Sequence, residues 1–92
     1  MTIKKLKEMP YAQAHVEIHD DGTIVLVSYY TVVAVICPEK WVEVFGLYSA
    51  TTRRHLGAFA KEYCGLDYQT LKTIYYDNMI MNIETGEVLD KS

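Results

Sequence analysis

The run TIVLVSYYTVVAVI, residues 23–36, constrains the fold more than any other part of the chain. It is rich in Val, Ile and Tyr, whose branched or aromatic side chains lose freedom in a helix and pack well on a pleated surface. Polar residues hardly interrupt it, so it is expected to form a central strand covered on both faces. Upstream, His15-Val16-Glu17-Ile18-His19 alternates polar and apolar, the period of a half-wet strand. Asp20-Asp21-Gly22 lies between them, and Asp-Gly between two such runs marks a hairpin. Cys37-Pro38-Glu39-Lys40 ends the run, because proline has no N–H for the ladder. Trp41 to Tyr48 reads as a third strand, so the first half is a β-meander.

Register sharpens this expectation. With Asp21-Gly22 as a two-residue turn, Ile18 pairs with Val25 and Val16 with Val27. Through the 37–40 turn, Val35 meets Val42 and Val33 meets Val44. One face then collects Val16, Ile18, Val25, Val27, Val33, Val35, Val42 and Val44, and should receive the helices. The other collects His15, Glu17, His19, Leu26, Tyr30, Trp41, Glu43, Phe45 and Leu47. A slip of one residue would exchange the faces.

From Ser49 the period changes. Thr52, Leu56, Phe59, Ala60 and Tyr63 fall on one helical stripe, with Ser49 or Thr51 to cap its first turn and Gly65 to end it. Asp67 caps a second helix with Leu71, Ile74, Tyr75 and Asn78 on one side. The stretch MIMNIETGEVLD then reads as a hairpin around Glu84-Thr85-Gly86-Glu87. The order βββααββ predicts one α+β domain over residues 1–92: an antiparallel β-meander, two helices packed on one sheet face, and a C-terminal β-hairpin.

Composition bounds the function. Ninety-two residues, half of them apolar, supply one core and little volume for a deep pocket. The net charge of -3, nine Lys and Arg against twelve Asp and Glu, lacks the basic footprint of a nucleic-acid binder. Two local spots run the other way. Residues 1–10 carry Lys4, Lys5 and Lys7 against Glu8, and residues 51–64 carry Arg53, Arg54 and Lys61 against Glu62, each a balance of 3 − 1 = +2. Met1 to Pro10 has no apolar core of a signal peptide. The apolar run is too short and too β-branched to span a membrane. Cys37 and Cys64 form no CxxC and are expected reduced and buried. A cytoplasmic chain with no membrane contact is expected.

Five candidate sites compete. Tyr48, Ser49, Thr51, Thr52, Arg53, Arg54 and His55 cluster at a helix start, where free N–H groups, the positive dipole end and two arginines favour an anion or an acidic partner. The plainer reading is that Ser49 and Thr51 cap, Thr52 packs and the arginines are solvated. Tyr30, Trp41, Phe45 and Leu47 would make an apolar patch on the second sheet face, the surface of a partner or a homodimer unless another segment covers it. His15-x-Glu17-x-His19 puts three metal-ligand types on one strand, but neighbours about 6.6 Å apart are widely spaced for one ion, so no metal or other cofactor is expected. His55 and Cys64 lie nine residues apart on one helix and point differently, so no nucleophile, base and orienter assemble and a non-enzyme is expected. Finally, residues 59–77 follow a degenerate helix-turn-helix pattern. Ala60 and Gly65 are one residue too far apart for it, and its would-be recognition helix carries only Lys72 as a basic residue, with Asp67 and Asp77 opposing phosphates. A small DNA-binding regulator is therefore the alternative.

The pattern Tyr48-Ser49-x-Thr51-Thr52-x-x-His55-Leu56-x-x-Phe59, with Glu62-Tyr63 and the closing NIETGEV, resembles a group of short proteins from Firmicutes and from the phages and mobile elements that infect them. The resemblance covers about residues 28 to 90 and brings a context, not an activity. It implies a phage or mobile-element accessory protein. Many of these bind and block a host protein complex, the anti-CRISPR inhibitors of host defence nucleases among them.

Overall fold

The computed structural model describes residues 1–91. The apolar run does not form one strand. It folds back at Tyr29-Tyr30 into β3 (Ile24–Ser28) and β4 (Thr31–Ile36). A single strand of that length would reach about 46 Å at the usual rise, whereas the molecule measures 33 Å along its longest axis. The turn puts Tyr29 at φ 58, the left-handed region that a hairpin's first loop residue requires and that a tyrosine adopts at a cost of order 1 kcal/mol.

Around this hairpin runs a seven-stranded meander in which every neighbour is antiparallel and follows in chain order. Its remaining strands are β1 (Thr2–Lys4), β2 (Ala14–Ile18), β5 (Trp41–Val44), β6 (Met79–Asn82) and β7 (Val88–Asp90). β1 is an exposed edge that the sequence pattern does not announce. β5 stops at Val44, four residues before the expected end at Tyr48. The C-terminal hairpin is where it is expected, with Gly86 at φ 80.

The register differs from the expected one, and the loops explain why. Asp20-Asp21-Gly22 is a three-residue loop: the His19 N–H donates to the Thr23 carbonyl at 2.9 Å and the Gly22 N–H to the His19 carbonyl at 3.0 Å. Gly22 takes the left-handed position, φ 97. The β4–β5 hairpin repeats the geometry with Pro38-Glu39-Lys40, and there Lys40 stands at φ 76. One extra loop residue shifts the pairing to Ile18↔Ile24 and Val16↔Leu26, then Ala34↔Val44 and Ile36↔Val42. Leu26, Ala34 and Ile36 therefore face the helices, and Val25, Val27 and Val35 the other side. Both faces of this run are apolar, so its pattern does not distinguish the two registers. A bulge adds Val33 between Leu26↔Ala34 and Val27↔Val32, and Val33 is fully buried.

The helices lie on one sheet face. α1 (Ala50–Phe59) packs on β3 and β4, and α2 (Tyr68–Tyr76) on β5 and β6. Ser49 caps α1 and Asp67 caps α2, its Oδ1 accepting from the Thr70 N–H at 2.9 Å. After Phe59 the helix widens into a π-helical turn, Ala60–Cys64, and ends at Gly65 with φ 66. Asn78, expected on the α2 stripe, lies beyond the helix and is exposed at φ 57. Leu56, Phe59, Leu71 and Ile74 meet Val16, Leu26, Ile36 and Val42 in one core. Leu6 closes this layer on the β2 side, where the Lys7 N–H donates to Glu62 Oε1 at 2.8 Å.

Neither β1 nor the last hairpin covers the second sheet face; both extend the sheet sideways. Val25 and Val27 are shielded there by their sheet neighbours and do not belong to the core. Trp41 and Phe45 stay on this side, half-buried and exposed. Leu47, expected on it, is 4% exposed and part of the core. Tyr30 stands at the hairpin tip instead of on the sheet, fully exposed. Cys37 and Cys64 are both free. Burial pushes the Cys64 thiol up to about 12, which keeps Cys64 protonated near neutral pH. Among the described residues no helix is long and apolar enough to cross a membrane.

Candidate functional site

The structure divides the predicted helix-start cluster in two. Thr52 and His55 turn inward and meet Ser28 at the end of β3, a residue that sequence reasoning passed over. The Thr52 N–H donates to Ser49 Oγ at 3.2 Å and the Ser49 hydroxyl to Thr52 Oγ1 at 3.2 Å. Thr52 Oγ1 lies 3.1 Å from Ser28 Oγ, and Ser28 Oγ lies 2.8 Å from His55 Nδ1. Either hydroxyl of the Thr52–Ser28 pair can donate, and the His55 tautomer sets the direction of the Ser28–Nδ1 bond. Burial lowers the pKa of His55, in keeping with a neutral ring. A hydroxyl beside an imidazole is also the pairing of a nucleophile with its base. Here Ser28 is 2% exposed and His55 1%, and the contact holds the β3–β4 hairpin to α1. His55, expected in the binding cluster at the helix start, is thus buried against the hairpin.

The other residues face outward. β5 runs antiparallel to β4, with the Phe45 N–H on the Val33 carbonyl at 2.8 Å, so it ends at the sheet edge where Tyr29-Tyr30 turns. α1 begins there. The Tyr29 ring lies 6.0 Å from that of His55. Tyr48 is 58% exposed and its ring rests on Gly46, where a Cβ would stand 2.5 Å from the ring carbon Cζ. Only glycine permits that contact. Arg53 and Arg54 project from the first turn of α1, which has no acidic residue. Among the described residues the ion pairs are Met1 with Asp20 and Lys91 with Glu43, and Glu17 contacts only His15 and His19, so no carboxylate neutralises either arginine. Thr51 is half-buried and outside the hydroxyl chain. The result is an edge of Tyr29, Tyr30, Tyr48, Arg53 and Arg54 set on a rigid polar clasp. Tyr and Arg are the residue types that dominate protein contacts.

The strand triad makes a different arrangement. His15 Nε2 lies 3.3 Å from Glu17 Oε2, and His19 Nε2 lies 3.1 Å from Glu17 Oε1. These hydrogen bonds, that from His15 foremost, hold the Glu17 carboxyl below its usual range. The imidazoles take opposite oxygens and do not converge on a common point. Among the described residues no three His, Cys, Asp or Glu are placed to hold a metal ion.

A family model matches residues 1–78 of the 92. The chain belongs to DUF8033, a family of unknown function. The match takes in β1 to β5, both helices and the whole Tyr/Arg edge, and it stops before β6. The DUF8033 portion therefore contains the site but not the last hairpin. No curated protein and no solved structure matches the chain.

Proposed function

We propose that the chain is a non-enzymatic binding protein that docks an acidic surface of a partner protein on the edge formed by Tyr30, Tyr48, Arg53 and Arg54. One observation carries the reading: two unneutralised arginines at the positive end of a helix, beside exposed tyrosines. Cations there are disfavoured by about 0.3–1 kcal/mol each, a cost that an incoming carboxylate relieves. The resemblance of the 48–59 pattern to phage and mobile-element proteins suggests the partner class, a host defence complex such as a CRISPR nuclease, encountered in the host cytoplasm. The uncovered sheet face around Trp41 and Phe45 is the surface through which two copies pair in this proposal. The DNA-binding alternative through residues 59–77 has less support, since Lys72 is the only basic residue of α2 and the helix lies between Asp67 and Asp77.

The test is capture from host lysate by the tagged wild-type chain and by a variant with Arg53→Glu and Arg54→Glu, each with and without nuclease. The expected result is a stoichiometric protein that survives nuclease and is lost with the variant. Recovery that vanishes with nuclease, or that is equal for both chains, overturns the proposal.

A further inference from the structure

The helical layer does not reach across the sheet. Seven strands spaced about 4.8 Å apart make a surface roughly 29 Å wide. Helices pack about 8–10 Å apart, so two of them cover about four strands. α1 takes β3 and β4, α2 takes β5 and β6, and Leu6 closes the β2 side. On the other side the helix-facing surface of β6 and β7 continues past α2 as a groove. Met79 and Met81 of β6 and Val88 of β7 form its floor, with Met81 paired to Val88, and Ile74 of α2 forms its wall.

We infer that this groove seats an amphipathic helix of a protein partner, its apolar side on Met79, Met81 and Val88 and a basic residue near each end of α2. The floor is the position that a third helix of the layer would occupy. Two methionines suit an exchangeable occupant, because their unbranched side chains re-pack at little cost. The charge is one-sided: the lining contains Asp67 and Asp77 and no Lys or Arg. These carboxylates lie ten positions apart at the two ends of α2, about 15 Å along the axis. Asp77 stands at the C-terminal end of α2, whose last turn has no basic residue, so its charge adds to the carbonyl end of the dipole. An added strand fits less well, since β7 offers an edge of three residues. This surface is separate from the Tyr/Arg edge, and its occupant has the opposite charge.

The test uses a synthetic peptide of about 15 residues, long enough to hold a helix on a surface, with leucines at helical spacing and an arginine near each end. It is titrated into the isotope-labelled full chain and compared with the same peptide carrying glutamates at the ends. Amide shifts are expected at residues 67–77 and 79–88, and the arginine peptide should bind about tenfold tighter than the glutamate peptide. Asp67→Asn with Asp77→Asn should bring the two within about twofold while the apolar contact persists. Asparagine still caps a helix, so the variant is expected to fold. Equal affinities in the wild type, shifts confined to the Tyr30 and Arg54 edge, or no binding overturn the inference. So do shifts that appear on concentrating the chain alone, which would make a second copy the occupant.

Discussion

Ser28→Ala tests the hydroxyl chain that fixes the hairpin to α1. Ser28 is its middle member, its Oγ 2.8 Å from His55 Nδ1 and 3.1 Å from Thr52 Oγ1. Removing its oxygen deletes two hydrogen bonds worth about 1 kcal/mol each and leaves a buried imidazole nitrogen unpaired. The expected loss is about 3 kcal/mol, or roughly 12–24 °C in Tm for a domain of this size. Thr52→Val breaks one of the same bonds and should cost about 2 kcal/mol. Because the Thr52–Ser28 bond is counted in both, the double variant should cost about 1 kcal/mol less than the sum. Urea unfolding followed by Trp41 fluorescence reads all three. A Ser28→Ala loss below about 0.5 kcal/mol, the range of ordinary surface changes, or strict additivity would refute a connected chain.

The same network predicts a pH dependence. The pKa of His55 is lowered in the fold, so below about 6.5 the unfolded chain binds more protons and stability falls with falling pH. His55→Gln should flatten unfolding free energies measured between pH 7.5 and 5.5, and an unchanged slope would show that another group titrates. Gly46→Ala leaves no room for the Tyr48 ring; the chain should stay folded, lose the ring-current shift at residue 46 in its proton spectrum, and bind the captured partner about tenfold more weakly. Sedimentation should give twice the 10.6 kDa chain mass for the wild type and a folded monomer for Phe45→Glu, whereas a monomeric wild type removes the proposed pairing face.

Much of the fold was legible because its signals are local. Ser49, Asp67, Gly65 and Gly86 announce caps and turns by their own chemistry, and the Leu56, Phe59 and Leu71, Ile74 stripes follow from the helical period. The break at Tyr29 was not legible, since nothing in Ser-Tyr-Tyr-Thr favours a positive φ and the fold's dimensions impose it. The register was missed by one loop residue for a related reason: Leu26 and Val25 are equally apolar and either could face the core. Nothing in Ala60–Cys64 marks the π-helical turn. At the site, Arg53 and Arg54 were readable as outward-facing because they fall off the apolar stripe. The role of His55 was not readable, because its partner Ser28 lies 27 positions away. A lone serine in a β-branched run was the available sign.

Hydrogen exchange of the labelled chain, free and bound to the captured partner, tests the central claim most directly. Protection gained at residues 28–31 and 48–55 is the predicted result. Unchanged exchange there, with protection at the open sheet face or at residues 67–88 instead, would contradict it.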